Sequence, residues 1–182
     1  MKNKKVRFIL LAVLSITLLF GALFAYNYLT ERYQATEAPV RDENDIKAVD
    51  FTVYDEDGNP VNLFDYAGKP IVLNFWATWC GPCKSELPAF DKLCKEYEGK
   101  IQFMMVNVTD GYKETVQGVK AFVDENEYSF PVFYDTTLQA ASIYGAQSIP
   151  LTVLISSDGY LEAYQMGAVS EQALRNALEK LQ

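Results

Sequence analysis

The apolar run Ile71–Trp76 restricts the possible folds of this chain more than any other segment. A nearly continuous apolar run is typical of a strand buried on both faces, because a strand with one face in water alternates apolar and polar residues. Helical periodicity follows from Cys80 to Tyr97, and a second apolar run of strand length occupies Ile101–Val108. Strand, helix and strand in this order form a βαβ unit, which predicts an α/β domain.

The remaining segments complete this domain. The predicted elements are, in chain order, a hairpin over 51–63, a helix over Val116–Glu125, an extended piece over Pro131–Tyr134, a short helix over Leu138–Tyr144, a hairpin over 151–166 and a helix over Glu171–Leu181. Because the order begins with a βαβ unit and closes with an antiparallel hairpin, we expect a central mixed sheet with helices on both faces.

The composition excludes several classes of function. The chain of 182 residues contains no histidine, which excludes Ser-His-Asp and Cys-His catalysis and histidine-ligated metal sites. Its three cysteines are too few for a disulfide-stabilised scaffold. Four of the 16 basic residues precede position 8, so the rest of the chain carries 12 basic residues against 24 acidic ones. A folded domain with that charge repels phosphate, and we expect no nucleic-acid partner.

An uncharged segment of 22 residues, Phe8–Leu29, follows a basic flank over residues 1–7. At about 1.5 Å per helical residue, the segment is long enough for a hydrocarbon core of about 30 Å. The positive-inside rule predicts a cytoplasmic flank, a single transmembrane signal-anchor over 8–29 in the cell membrane, and an extracytoplasmic remainder. A cleaved signal peptide is the alternative, although the run is longer than the usual apolar region of one.

Residues 30–47 differ in composition from the segments on either side. They are polar, carry charges of both signs and lack apolar periodicity. Such a composition is typical of a linker. The predicted folded domain therefore occupies residues 48–182.

Two cysteines three positions apart, Cys80 and Cys83, stand at the junction of the strand and the helix. This spacing permits a reversible disulfide. At a helix N-terminus the unpaired N–H groups and the dipole stabilise a thiolate, so we expect Cys80 to be the nucleophile. Cys83, in the first helical turn, is placed to attack a mixed disulfide at Cys80. Pro82 suits the first turn because its missing N–H costs nothing there.

A metal site is the alternative use of this cysteine pair. A closed zinc site needs four ligands, and only Cys94 remains as a third thiol in a chain without histidine. Haem attachment requires a histidine directly after the second cysteine, where this chain has Lys84. We therefore expect no metal and no cofactor. Cys94 falls on the apolar stripe of the helix and is interpreted as a buried, inert thiol, with a resolving role as the alternative.

The segment Phe75–Lys84 resembles the active-site segment of thioredoxins. Pro88 matches the proline within the thioredoxin active-site helix, and Ser148–Pro150 matches the cis-proline loop. Gly167–Ser170 resembles the final turn before the last helix. The leading hairpin and the extra helix near 113–126 are more similar to the membrane-anchored TlpA/ResA branch. The resemblance covers residues 50–182 and implies a thioredoxin fold with an N-terminal β-hairpin and an inserted helix.

The resemblance also implies an acid–base residue. Thioredoxins keep a buried aspartate in the strand before the cysteines, where this chain has Asn74. In the TlpA/ResA branch a glutamate three residues after the second cysteine takes that role, and Glu86 occupies the position here. We predict that Glu86 lies in a partly apolar pocket that raises its pKa, and that it shuttles the proton of the buried thiol. The alternative is a solvated glutamate that complements the helix dipole.

A cis bond before Pro150 is the next feature that the resemblance implies. It would place the Ile149 backbone beside the disulfide, where it can pair with an extended substrate segment. The alternative is a proline that only begins a strand. We expect Trp79 to be exposed and to contact partners, and Trp76 to support the active-site loop from inside; ordinary core packing is the alternative for both. The predicted substrate-binding residues are Trp79, Gly81, Pro82, Ile149 and Pro150.

Together these features predict a membrane-tethered thiol–disulfide oxidoreductase that reduces protein disulfides through Cys80 and Cys83. The resemblance implies apocytochrome c as a substrate and a membrane electron donor of the CcdA/DsbD kind, and we expect a monomer. Two other classes stay open. A peroxidase shares the leading hairpin, as in peroxiredoxins, but the peroxiredoxin pattern around the reactive cysteine is missing. A non-catalytic thioredoxin-fold binding module is the other, and the intact cysteine pair argues against it.

Overall fold

The computed structural model describes residues 2–34 and 45–181 of the chain. The chain divides into two compact units, Met1–Arg41 and Asp42–Gln182. In the first unit, helix α1 runs over Lys2–Gln34 and includes the segment 8–29 predicted to be a transmembrane helix. Across both described ranges, however, we find no helix whose length and apolar character would let it cross a membrane. The predicted segment 8–29 is therefore helical.

The predicted linker over 30–47 differs from the structure at both ends. Helix α1 continues to Gln34, so the first residues of the predicted linker are helical. Residues 35–44 lie outside the described part of the chain. At the other end, the backbone N–H of Leu161 donates to the carbonyl of Ile46, and Lys47 forms a bridge with Tyr160. The folded domain therefore includes residues ahead of the predicted boundary at 48.

One seven-stranded sheet forms the centre of the second unit. Its strands are β1 (Thr52–Tyr54), β2 (Pro60–Asn62), β3 (Ile71–Trp76), β4 (Gln102–Asn107), β5 (Val132–Tyr134), β6 (Leu151–Ile155) and β7 (Leu161–Met166). Their order across the sheet is β2-β1-β5-β4-β3-β6-β7. Strands β3, β4 and β5 pair in parallel, and the other neighbours pair antiparallel. The sheet is mixed, as predicted.

Helices cover both faces of this sheet. They are α2 (Gly81–Glu96), α3 (Val116–Glu125), α4 (Gln139–Ile143) and α5 (Glu171–Leu181). All six residues of β3 are buried, and they alternate between two cores. Val72 and Trp76 pack in one core with residues of α2, α3 and α5, whereas Leu73 and Phe75 pack in the other with residues of α4. The prediction of a strand buried on both faces is confirmed.

Helix α2 begins directly after Cys80 and contains Cys83, and identifiable residues cap both of its ends. Cys80 is the N-cap, Pro82 lies in the first turn and Tyr97 is the C-cap. Three apolar side chains along one stripe of the helix, Leu87, Phe90 and Leu93, are fully buried against the sheet. This packing fixes the N-terminus of α2 at the end of β3, because only four residues connect the two elements.

Candidate active site

Cys80 and Cys83 form a disulfide at the N-terminus of α2, with Cα atoms 5.2 Å apart. The backbone N–H of Cys83 donates to Cys80 Sγ over 3.2 Å. Helix N-terminal N–H groups favour negative charge, and a sulfur that accepts one of them is more readily ionised. The same contact would therefore stabilise a thiolate on Cys80 once the disulfide is reduced.

The two cysteines differ in their access to solvent. Cys83 is fully buried, whereas Cys80 retains 5% of its exposure. Gly81 and Pro82, which stand between them, are both exposed. A partner that approaches this surface meets Cys80 first, and Cys83 is shielded behind it. Cys80 is thus the more accessible sulfur, and the roles of Cys80 as nucleophile and Cys83 as second thiol stay predictions.

The loop before β6 faces the disulfide. The Ile149–Pro150 peptide bond is cis, as predicted. Strands β3 and β6 pair antiparallel with Phe75 opposite Leu151, so the start of β6 lies next to the end of β3. Cys80 Sγ consequently lies 3.7 Å from the carbonyl oxygen of Ile149. The register of these two strands thus brings together two segments that are 69 residues apart in the chain.

An apolar groove of about 340 Å³ adjoins this loop. Trp79 and Ile149 line one part of it, and Leu138 and Ala141 line the part that belongs to the α4 region. Trp79 is 47% exposed, which confirms the prediction that it reaches the surface. The groove therefore offers an apolar surface between Trp79, which precedes Cys80, and the Ile149 loop that faces the disulfide.

Glu86 is buried one turn of α2 after Cys83, with 2% of its surface exposed. Its Oε1 accepts a hydrogen bond from Asn74 Nδ2 at 2.9 Å, and its Oε2 accepts one from the backbone N–H of Val169 at 2.8 Å. Burial raises the pKa of Glu86, and the two hydrogen bonds oppose that shift. The predicted burial and raised pKa of Glu86 are thus confirmed, and a solvated helix glutamate is excluded.

Asn74, on β3, has an unusual set of contacts. Its Nδ2 donates to Glu86 and also to Thr152 Oγ1 at 3.1 Å, whereas its Oδ1 is buried with no hydrogen-bond partner. A buried polar atom without a partner costs free energy of about 1–3 kcal/mol. Because the amide cannot titrate, Glu86 is the ionisable member of this contact.

Two other residues that the sequence singled out, Trp76 and Cys94, differ in their burial. Trp76 is fully buried and its ring contacts those of Phe122 and Phe130, which agrees with the ordinary core packing that was its alternative interpretation. Cys94 is only partly buried, in contrast to the prediction of a buried thiol, because it lies at the edge of the α2 stripe. Burial and the nearby Asp91 raise the pKa of Cys94 to about 11. The thiol is therefore protonated at neutral pH, as expected of an inert cysteine.

Sequence reasoning missed another buried carboxyl group beside the cysteine segment, that of Glu114. Its Oε1 accepts hydrogen bonds from the backbone N–H of Thr78 and from Asn107 Nδ2, and its Oε2 accepts one from Thr78 Oγ1, each at 2.7 Å. The neighbouring Lys113 places its Nζ 4.2 Å from the centre of the Trp79 ring. No motif marks Glu114, which is 36 residues from Thr78 in the chain, so only the fold reveals the contact.

The cysteine pair that forms a disulfide stands at the N-terminus of α2, directly after strand β3 of the mixed sheet. This arrangement places the protein among the thiol–disulfide oxidoreductases with a thioredoxin fold. The chain belongs to the AhpC/TSA family, whose profile matches residues 45–164.

Individual relatives agree with this assignment. The chain is 33% identical over 174 residues to the thiol-disulfide oxidoreductase ResA of Halalkalibacterium halodurans, covering 95% of this chain and 92% of that protein. It is also 33% identical over 151 residues to the thioredoxin-like protein YneN of Bacillus subtilis, covering 83% and 86%. The structure of an exposed lipoprotein thioredoxin from Streptococcus pneumoniae matches with a TM-score of 0.65 and 29% identity, covering 73% of this chain and 100% of that one. These findings confirm the resemblance to ResA-like proteins.

Proposed function

We propose that this oxidoreductase works as a reductase of protein disulfides, with Cys80 as nucleophile, Cys83 as resolving thiol and Glu86 as acid–base residue. One observation carries the proposal. The Cys80 sulfur lies at a helix N-terminus, and it is 3.7 Å from the carbonyl oxygen of Ile149 in the loop before β6. A sulfur in this position is both activated and within reach of an extended partner segment.

The first step is attack by the Cys80 thiolate on one sulfur of a substrate disulfide. The substrate S–S bond breaks, a mixed disulfide forms at Cys80, and the leaving sulfur takes up a proton. The N–H of Cys83, which lies 3.2 Å from Cys80 Sγ, supports the thiolate form before the attack. A backbone N–H at a helix N-terminus favours the thiolate, which is the form of a thiol that attacks a disulfide.

The second step is attack by Cys83 on Cys80 Sγ. The buried Cys83 thiol must lose a proton as the new S–S bond forms and the second substrate thiol departs. Glu86 lies one helical turn away and is buried on the same side of α2. Its raised pKa suits a group that accepts a proton and later returns it. The net result is a reduced substrate and the Cys80–Cys83 disulfide.

Substrate binding is assigned to the surface around the sulfur. The Ile149 backbone, held by Pro150, offers a peptide edge for an extended segment. Trp79 and the exposed Gly81 and Pro82 border the point of attack. The groove between Trp79 and the α4 region would take an apolar side chain of the substrate.

The cellular setting is proposed from the sequence. The uncharged segment Phe8–Leu29 behind a basic flank supports a tether at the cell membrane and an extracytoplasmic catalytic domain. Resemblance to the TlpA/ResA branch supports apocytochrome c as a substrate and a membrane electron donor of the CcdA/DsbD kind. The excess of acidic residues supports a protein partner rather than nucleic acid. We expect the protein to act as a monomer.

Reduction of insulin by dithiothreitol, with the full chain as catalyst, tests the proposed activity. Wild type and Cys94→Ser should accelerate the reaction equally, whereas Cys80→Ser and Cys83→Ser should not accelerate it. Hydrogen peroxide should not be consumed faster with the protein than without it. A wild-type protein that fails to accelerate insulin reduction would contradict the proposal, as would activity that survives Cys80→Ser.

A further inference from the structure

Glu114 lies in the loop between β4 and α3, and only 2% of its surface is exposed. Burying a carboxylate is costly unless its oxygens accept hydrogen bonds. Both oxygens do so: Oε1 from Thr78 N and Asn107 Nδ2, and Oε2 from Thr78 Oγ1. The carboxylate thus joins the segment after β3 to the last residue of β4.

The residue that donates two of these hydrogen bonds is close to the nucleophile. Thr78 precedes Cys80 by two residues, and Glu114 binds both its backbone N–H and its hydroxyl. The connection from β3 to α2 contains only four residues, and besides the two Thr78 contacts the backbone N–H of Cys80 donates to the carbonyl of Ala77 within it. Glu114 consequently restricts the backbone conformation of the residues directly before Cys80.

The Glu114 loop is itself ordered from within. Asp110 Oδ1 accepts hydrogen bonds from the backbone N–H groups of Tyr112, Lys113 and Glu114 at 2.9, 2.7 and 2.9 Å. The same loop places Lys113 Nζ against the face of Trp79, at 4.2 Å from the ring centre. A cation over a tryptophan face is attractive. One rigid loop therefore contacts both residues that come directly before Cys80.

We infer that Glu114 is a positioning residue for the Cys80 redox centre, acting through Thr78 and, by way of its loop, through Trp79. The inference rests on the proposed reductase function and deepens it. A carboxylate that served only the stability of the fold would need no link to the residues beside the nucleophile. Misplacement of a reacting group by about 1 Å can cost about 100-fold in rate, so a positioning residue has a kinetic effect.

The test compares Glu114→Ala with Glu114→Gln in the full chain. Alanine removes all three hydrogen bonds, whereas glutamine keeps an oxygen for the two N–H donors and an amide that can donate to the Thr78 hydroxyl. We expect Glu114→Ala to slow insulin reduction about tenfold, and Glu114→Gln to restore most of the rate. The matched control is Glu125→Ala, at an exposed position on α3, which should behave as wild type.

Tryptophan fluorescence supplies a second readout that a purely stabilising role would not change. Trp76 is fully buried, so acrylamide quenching reports on Trp79. In folded Glu114→Ala the quenching constant should rise, because Lys113 no longer covers the ring; in Glu114→Gln it should stay near the wild-type value. If Glu114→Ala does not fold, Thr78→Val replaces it, with an expected fall in rate of about threefold.

The outcomes separate the two proposals. A wild-type protein that does not reduce insulin overturns the proposed function itself. An active wild type together with a folded Glu114→Ala of unchanged rate and quenching overturns the positioning role alone. A Glu114→Gln that is as slow as Glu114→Ala also overturns it, since the hydrogen bonds would then not be the cause. Where Thr78→Val replaces a Glu114→Ala that does not fold, an unchanged rate of insulin reduction in Thr78→Val also overturns the positioning role.

Discussion

The side-chain amide of Asn74 donates a hydrogen bond to the carboxylate of Glu86 over 2.9 Å inside the domain core. Asn74, which cannot titrate, thus donates a hydrogen bond to Glu86, which can. Burial favours the neutral form of Glu86, and the donors at Asn74 and Val169 favour the ionised form. Burial has the larger effect, so the pKa of Glu86 is raised above that of an exposed glutamate. Its protonation changes closer to neutral pH as a result, where disulfide exchange takes place.

Glu86→Gln should change the pH dependence of the reaction. In wild type, Glu86 gains its basic form as the pH rises through its elevated pKa, and the resolution step should become faster over the same range. Glutamine cannot accept the proton, so this rise should vanish and the rate at neutral pH should fall about tenfold or more. Stopped-flow measurement of mixed-disulfide resolution between about pH 5 and pH 9 checks the prediction. A pH profile that matches wild type would remove Glu86 from the mechanism.

Stability should also respond to Glu86, with a defined sign. The folded-state pKa is raised, so the stability linked to the protonated carboxyl is present below the unfolded pKa and is lost as the pH rises through the folded pKa. Glu86→Gln removes this loss. The free energy of unfolding of Glu86→Gln, measured in urea, should therefore increase relative to that of wild type as the pH rises from about 4 to 7. The opposite trend would mean that the carboxylate is stabilised in the folded state.

Asn74→Asp should couple two carboxyl groups. A second carboxyl 2.9 Å from Glu86 would leave the pair sharing a proton, because like charges in a buried site cannot both ionise readily. The rise of the rate with pH should shift upward by about one unit or more, and the free energy of unfolding at neutral pH should fall by about 1–3 kcal/mol. Thr152→Val, which removes only the second acceptor of the amide, is the matched control. Equal pH profiles for Asn74→Asp and Thr152→Val would count against the coupling.

Local patterns were enough to predict most of this fold. The apolar run Ile71–Trp76 and the helical periodicity after Cys80 are consequences of burial, and burial depends on the sequence directly around each position. Helices α3 and α5 appear at their predicted bounds for the same reason. The buried state of Glu86 was predicted only with help from the family resemblance, since a glutamate on a helix is exposed by default.

Two contacts of the site between distant segments could not be predicted. Glu114 meets Thr78 across 36 residues, and Glu86 meets Val169 across 83, so both contacts depend on the completed sheet. The end of α1 was also misplaced: polar residues 30–34 resemble a linker in composition, yet they continue a helix that has already begun. Extending a helix costs much less than starting one, which composition alone does not reveal.

The three thiols of the reduced protein should react at different rates. Burial raises the pKa of Cys94 to about 11, which leaves almost no thiolate at about pH 7. Cys83 is fully buried, and Cys80 is the one with both exposure and a helix N-terminus. Brief treatment with iodoacetamide, followed by peptide mass spectrometry, should therefore find the label at Cys80 first. Prior labelling of Cys94 would contradict the assignment of that residue as inert.

The reduction potential of the Cys80–Cys83 couple is the most direct test of the central claim. The full chain would be equilibrated in thiol buffers of known potential, and the fraction of disulfide would be read by mass spectrometry after acid quenching. A reductase is expected to show a potential near that of thioredoxin, about −270 mV. A value near that of a strong oxidant, about −120 mV, would make the protein a donor of disulfides and contradict the proposed direction of electron flow.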